Sequence, residues 1–407
     1  MDRGRRHGGR GQDLVTLTLI AIATGSILVP LNSTMLAVAL PSIMREFSVS
    51  ASAVSWLVTA YLAAVAIAMP ISGTAGDRLG HRRMFLAGVG AFAASSLLGA
   101  AAWSFPVLIL SRLLQAFSGA SITTNSVALV SALAPEERRG SSFGIMEMYI
   151  STSAASGPFL GGVLVSTLGW RSLFLMAAPV AILSALLVRA IVPVRPAVFI
   201  ASERRAPVLA IDVRLFRVTA FAAAVAAVFG STVILHTSMI LIPIFTQNLL
   251  AASAAASGTV MFVYFGVGAL ISPAGGRLSD LIGRRMPAVA GMLFMTVGLA
   301  GLWRWAGSVT LTQVALLLGL IGLGSGLSGT PRQTSAIESV PPHAAGMAAG
   351  TYFASRYLGG VLGASMAGVI LGDGVTVTAV AGGFGLLALV ACCVALVSLG
   401  LRGRAIE

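Results

Sequence analysis

Apolar runs about as long as a bilayer is thick, cut by short charged or Pro/Gly-rich breaks, occupy the chain almost from end to end. A helix needs roughly 20 mostly apolar residues to cross the hydrocarbon core, and on that measure the breaks define twelve spans. The first six run Leu14–Leu40, Val54–Ile71, Met84–Ala102, Pro106–Leu133, Ser142–Thr167 and Ser172–Val192. The second six run Thr219–Phe245, Ala255–Pro273, Pro287–Trp305, Leu311–Gly329, Ala345–Leu371 and Val375–Leu399. Each run is continuously apolar, without the alternation at every second residue of a membrane barrel, so helices are predicted. The expected fold class is an all-α integral membrane protein with twelve transmembrane helices. The first run follows MDRGRRHGGRGQD, is too long for a signal peptide and lacks a small-residue cleavage site, so it is expected to remain as the first helix.

Composition agrees with this pattern. Of 407 residues, 57% are apolar and 10% charged, against roughly 25% charged in a soluble domain. A water-exposed surface of this size is thereby excluded, and lipid is the expected surrounding. All 26 basic residues are Arg, against 13 acids, for a net charge of +13. The absence of Lys fits GC-rich coding and carries no functional weight. A strongly basic chain also suggests nucleic-acid binding, but no polar stretch is long enough for a folded polar domain, so no nucleic-acid partner is expected. Cys392 and Cys393 are adjacent inside an apolar run and offer neither metal-ligand spacing nor a disulfide framework.

The Arg excess sets the expected orientation. With the N-terminus inside, 21 Arg fall on the inner side and three, Arg45, Arg171 and Arg304, on the outer side. That one-sided bias predicts that both termini are cytoplasmic; the expected location of this multi-pass chain is a bacterial plasma membrane. Arg332 is counted here among the inner flanking charges.

The chain also repeats itself. GTAGDRLGHRR begins at Gly73 and GRLSDLIGRR at Gly276; Gly73, Asp77, Gly80 and Arg82 recur 203 residues later as Gly276, Asp280, Gly283 and Arg285. Gly157 maps likewise onto Gly360. The organisation this predicts is a cytoplasmic tail (1–13), a six-helix bundle (14–192), a cytoplasmic linker (193–218), a second bundle (219–400) and a C-terminal tail (401–407). Parallel repeats about an axis along the membrane normal suit a rocking transporter with its substrate site between the halves.

The repeated stretch resembles the loop signature of the major facilitator superfamily, G-x-L-x-D-R-x-G-R-[KR]. The first copy has Ala75 where Leu is usual and His81 where Arg is usual; the second has Leu278, Asp280, Gly283, Arg284 and Arg285 in register. LNSTMLAVALP from Leu31 and WLVTAYL from Trp56 resemble the first- and second-helix signatures of the drug:proton antiporters of the EmrB/QacA type. RLLQAFSGA from Arg112 resembles R-x-x-Q-G-x-G-A-A of the fourth helix. SAASGPFLGG resembles the antiporter motif G-x-x-x-G-P-x-x-G-G, with Ser153 at the first Gly and Gly157, Pro158, Gly161 and Gly162 matching. Many relatives carry two extra central helices, for which the linker here is too short.

The resemblance implies roles for these residues. Asp77 and Arg78, with Asp280 and Arg284 in the other half, would help latch an inward gate; the alternative is a tight turn with topogenic charge. Gly80 and Gly283 suit a turn that needs positive φ. Gly157 and Gly161 lie four apart on one helix face, which is expected to meet the eighth helix closely. Gly324, Gly326 and Gly329 satisfy G-x-G-x-x-G, but inside an apolar helix and with no preceding strand, so nucleotide binding is rejected.

Charges inside spans cost roughly 2.5–3.5 kcal/mol each, and three are expected there: Arg112, Glu147 and Arg356. Arg112, Gln115 and Gly119 share a face of the fourth helix. The family resemblance implies an acid at position 32, within reach of Arg112, for proton coupling; Asn32 stands there and cannot titrate. Glu147 takes over as proton carrier, or His236 does, or the protein is not driven by protons in the usual way. Arg356 either binds an anionic group, pairs with Glu147 or has a structural hydrogen-bonding role. Three functions follow: a monomeric proton-coupled exporter of small amphipathic or cationic compounds, an exporter of a specific metabolite, anionic or not, or a transport-incompetent sensor or scaffold. No cofactor is expected beyond a proton gradient, and no metal. No Ser/His/Asp set, metal cluster or phosphate loop occurs at a spacing that would make an enzyme.

Overall fold

The computed structural model describes residues 17–133, 139–192, 213–340, 345–372 and 374–401. Among the described residues the chain is all-helical. Its long helices are α1 Leu17–Phe47, α2 Ala51–Leu79, α3 His81–Ala100, α4 Phe105–Leu133, α5 Arg139–Leu168 and α6 Arg171–Ile191. They continue with α7 Thr219–Ile244, α8 Ala254–Ile282, α9 Arg285–Trp305, α10 Leu311–Glu338, α11 Ala345–Leu371 and α12 Val377–Ser398. Eleven of these are long and apolar enough to cross a membrane. The other, α5, has 30 residues, and most side chains of its first half lie outside the described residues.

The helices run past several predicted ends. α1 continues through Pro41 to Phe47, α2 through Pro70 to Leu79, α8 through Pro273 to Ile282 and α10 through Pro331 to Glu338. Proline is tolerated inside membrane helices because neighbouring helices, hydroxyl side chains and local adjustments satisfy the backbone groups it frees. Pro/Gly-rich breaks were therefore poor markers of helix ends here. Two corrections follow. The repeated signature is helical through Gly73, Asp77 and Arg78 in α2 and through Gly276 and Asp280 in α8, with only the break at Gly80 or Gly283 between helices. Arg332 is not a flanking charge, since it lies six residues inside the end of α10 with 5% of its surface exposed.

Helix starts follow ordinary local chemistry. The side chains of Ser253, Thr310 and Thr376 accept from the backbone N–H three residues on, at 3.1, 3.3 and 3.1 Å, which satisfies donors that the first turn leaves open. Gln313 completes a capping box on Thr310. α7 closes with a π turn, Phe245–Leu249, one residue after Ile244 and two after Pro243.

Contacts divide the chain into two compact units, and the division does not follow the linker. One comprises Met1–Ser33, Ala64–Gly157 and Trp170–Arg205; the other comprises Thr34–Ala63, Pro158–Gly169 and Ala206–Glu407. In the first, Leu19, Ile22 and Leu28 of α1 pack with Phe85, Val89 and Phe92 of α3, Ile122 and Val130 of α4, and Ala181 and Val188 of α6. In the second, the far parts of α1, α2 and α5 pack with the C-terminal helices, whose main pairings are α8 with α10, α7 with α11, and α9 with α10 and α12.

Glycines set the closest of these pairings. A Cβ on Gly275 of α8 would stand 2.8 Å from the carbonyl oxygens of Gly326 and Leu327 on α10, and one on Gly291 of α9 would stand 2.5 Å from that of Gly324. The glycines of the rejected nucleotide motif thus have a packing role, Gly324 against α9 and Gly326 against α8, while nothing lies within 4 Å of Gly329. Gly275→Ala is expected to force α8 off α10 and cost about 1–3 kcal/mol. Gly90→Ala, in α3 with nothing within 4 Å of the new Cβ, is expected to gain up to about 1 kcal/mol of helix propensity. Thermal midpoints in mild detergent check the pair; equal shifts in the same direction would contradict close approach as the cause.

Candidate functional site

In the first unit, α4 carries Arg112 into the interior with 1% of its surface exposed. Its Nη1 donates to Asn32 Oδ1 of α1 and to Gln115 Oε1, both at 2.7 Å, and Gln115 Nε2 passes the chain on to Ser96 Oγ of α3 at 2.7 Å. Gln115 comes to the guanidinium because it lies one turn on, on the same helix face. The spacing that placed Arg112 and Gln115 together, and the family's pairing of position 32 with this Arg, are both visible in the geometry. What differs is the chemistry at position 32, where an amide oxygen accepts the bond that a carboxylate would take with charge.

The two copies of the signature differ chemically. Gly80 and Gly283 have φ of 95° and 89°, the left-handed turn that glycine adopts without strain. The first copy's Asp77 faces His81 Nε2 at 3.4 Å, and His81 Nδ1 pairs with Asn125 Oδ1 of α4 at 2.9 Å. In the second, Arg284 Nη1 donates to Asp280 and to Ser279 Oγ (2.9 Å), while its Nη2 and Nε donate to Glu338 at 2.9 and 3.2 Å. Glu338 first and Asp280 second hold the Arg284 guanidinium above its ordinary pKa. The Arg284 guanidinium therefore keeps its charge, whereas the first copy's His81 is charged only when protonated.

Arg82 and Arg285, equivalent by the repeat, do something simpler. Arg82 Nη2 donates to Arg189 O near the end of α6 at 3.0 Å, and Arg285 Nε donates to Leu401 O beyond α12 at 3.2 Å. Each places a cation on the open carbonyls of a helix C-terminus, where it offsets the helix dipole. Arg78 is exposed. Gly73 and Gly276 lie on equivalent turns, where a Cβ would meet Thr124 Cγ2 at 3.3 Å and Thr330 Cγ2 at 3.5 Å.

In the second unit, the antiporter-motif stretch of α5 reaches two neighbours. A Cβ on Gly162 would lie 2.5 Å from Ala254 O and 3.1 Å from Gly258 Cα of α8, and Gly258 in turn packs on the Pro158 carbonyl. Gly161 instead abuts Met35 of α1, 3.0 Å from its Cα. The face that meets α8 is therefore Pro158 and Gly162, one residue round from the expected pair of Gly157 and Gly161. Gly157, buried in α5, belongs by contact to the other unit. Phe159 and Phe262 extend the seam, with ring centroids 5.9 Å apart. Near the far end of α7, the buried Gln247 donates through Nε2 to Val38 O of α1 at 2.9 Å.

Of the embedded titratable groups, His236 is half-buried on α7, where Nδ1 donates to Thr232 O at 3.1 Å, and a Cβ on Gly360 would lie 3.1 Å from its ring. Arg356 is exposed on α11. Glu147 belongs to α5, but its side chain lies outside the described residues, as do Arg138 and the side chain of Arg139. The residue that sequence reasoning missed is Arg332. Its signal was present, a lone Arg within one turn of an apolar helix, but Pro331 beside it read as the helix end.

Asn32→Leu would leave the buried Arg112 without one acceptor and is expected to cost about 1.5–3 kcal/mol, the range for hydrogen bonds to charged groups. Asn32→Asp, which keeps the acceptor, is expected to fold with an unchanged or higher midpoint. Thermal midpoints of the two variants check this, and a Leu variant as stable as the parent would contradict the network.

The Major Facilitator Superfamily profile matches residues 22–364 and again 221–405. Multidrug resistance protein Stp of Mycobacterium tuberculosis is 30% identical over 87% of this chain and 75% of its own length. The tetracenomycin C resistance and export protein of Streptomyces glaucescens is 25% identical over the same shares, and the riboflavin transporter RibZ of Clostridioides difficile 26% over 81% and 82%. Among solved structures, the inward-open xylose transporter XylE from E. coli superposes with a TM-score of 0.75 at 13% identity, covering 97% of this chain and 98% of its own. Membrane-length helices, a repeated signature and these matches lead to one conclusion: the chain belongs to the major facilitator superfamily, and is a multi-pass membrane transporter that uses no cofactor, not an enzyme.

Proposed function

We propose that this transporter is a proton-coupled exporter of small amphipathic compounds, drugs or toxic metabolites, working by alternating access in a bacterial plasma membrane with both termini cytoplasmic. The observation that carries this reading is the seam of α5 on α8 at Pro158, Gly162 and Gly258, formed by the stretch that resembles the antiporter motif. Relatives named for multidrug resistance and for tetracenomycin C resistance and export, at 25–30% identity, support it.

The geometry suggests how the cycle runs. Glycine contacts let α5 and α8 lie backbone to backbone without interlocking side chains, so they can part without repacking a core. Arg284, Asp280 and Glu338 tie the ends of α8 and α10 at the opposite end of α8, while His81 and Asp77 sit at the equivalent junction of α2 and α3. Exposed ion pairs of this kind contribute only about 0–1 kcal/mol each, weak enough for latches that break every cycle. Arg112 and its amide acceptors hold α1, α3 and α4 as one rigid body.

Proton coupling is assigned to Glu147. Asn32 cannot titrate, and Glu147 is the carboxylate that the sequence puts well inside a span, about 12 Å along α5 from Arg139. His236 is the other candidate. Purified protein in liposomes is expected to show substrate-induced proton flux with members of an amphipathic drug panel, and Glu147→Gln is expected to abolish that flux while leaving substrate binding in place. Flux and its pH dependence unchanged in Glu147→Gln would remove Glu147 from the mechanism. No flux with any compound of the panel would overturn the proton-coupled reading.

A further inference from the structure

The second unit buries a cation that no described carboxylate answers. Arg332 Nη1 contacts the thioether sulfur of Met292 at 3.2 Å, and its Nε has no hydrogen-bond partner. A thioether is a weak acceptor, so the guanidinium is poorly satisfied although it is buried. The described carboxylates of this unit are Glu46, Asp280 and Glu338. Asp280 and Glu338 are engaged by Arg284, and Glu46 lies at the far end of α1. Around Arg332 stand Tyr264, Tyr352 and a second cation, Arg356, all within electrostatic reach. Arg356 in turn acts on Tyr352, on Tyr357 and on His236 of α7.

The arrangement is ordered in depth. α10 ends and α11 begins on the same side, so at 1.5 Å per residue Arg332 lies about 9 Å inside α10, Tyr352 about 10 Å and Arg356 about 16 Å inside α11. Tyr352 and Arg356 are four residues apart and share a helix face. Tyr264 stands beside Ser325, which lies two turns before Arg332 on α10. Two guanidiniums that no described carboxylate answers repel one another in a medium where a single embedded charge already costs roughly 2.5–3.5 kcal/mol. A bound anion removes both penalties, because a carboxylate accepts paired N–H bonds from a planar guanidinium.

We infer that Arg332 and Arg356, flanked by Tyr264, Tyr352 and Tyr357, form a subsite for the carboxylate of an amphipathic aromatic anion. The transported compounds of this carrier then include organic acids, taken in preference to cations of the same shape. The inference rests on reading the chain as an exporter and narrows its substrate class.

Purified full-length protein in detergent, titrated with 1-naphthoate, its neutral amide 1-naphthamide and the cation 1-naphthylmethylammonium, tests it by isothermal calorimetry. Naphthoate is expected to bind more tightly than the amide by roughly tenfold to a hundredfold, the worth of a charge-assisted pair. Arg356→Gln, at an exposed position, is expected to erase that preference without disturbing the fold. Arg332→Gln is expected to do the same, and Arg332→Lys to restore part of it. Equal binding of acid and amide, no binding of naphthoate, or an unchanged preference in Arg356→Gln overturns the subsite. Efflux from liposomes separates the two readings: acid-selective binding with no efflux of any probe removes the export reading and keeps the subsite, and efflux without acid preference does the reverse.

Discussion

Helices in a bilayer gain little by burying apolar side chains against each other, because lipid tails are as apolar as leucine. What remains is van der Waals contact at short range, and this chain obtains it by bringing backbones together. Gly162 on Ala254 and Gly258, Gly275 on Gly326 and Leu327, Gly291 on Gly324, Gly359 on Phe229 and Gly363 on Val233 are all approaches that a single methyl group would obstruct. With 47 glycines in 407 residues, close approach is available on several faces of one helix. α10 uses this most fully, turning Gly322 and Gly326 to α8 and Gly324 to α9. Seams of this kind are tight in one arrangement and need no interlocking side chains to be undone, which suits a protein that must have two arrangements.

The charges obey the same solvent. Most of the described Arg lie near helix ends, where some cap carbonyls, as Arg82 and Arg285 do, or pair with carboxylates, as Arg284 does. Among the described residues the embedded ones are few, and their environments differ. Arg112 is answered by two amide oxygens and serves as a strut among three helices. Arg332 is answered by a sulfur atom, and this contrast is what gives the C-terminal helices a candidate binding chemistry that the N-terminal strut lacks.

Much of this was legible in the residues alone. Twelve apolar runs became twelve helices in the expected order, and the 203-residue repeat located two glycine turns of left-handed φ. The face of Arg112 and Gln115 could be read from helical spacing. Helix ends were read too short, because proline and charge terminate soluble helices more firmly than membrane ones, and that error placed Arg332 outside the bilayer. The contact face of α5 was displaced by one residue, since a glycine pair states that a neighbour comes close but not in which direction around the helix. Partners distant in sequence, such as Glu338 for Arg284 or Val38 for Gln247, have no periodic signal and emerge only from the fold.

The central claim is that the α5–α8 seam parts in every transport cycle. It is tested most directly by locking it, with cysteines at positions 159 and 262, whose rings are 5.9 Å apart, in a background where Cys392 and Cys393 are Ser. A short cross-linker that joins the two thiols through disulfides is expected to reduce efflux from liposomes to the level of empty vesicles, and reductant, which cleaves those disulfides, is expected to restore it. Full efflux by the cross-linked carrier would contradict the account.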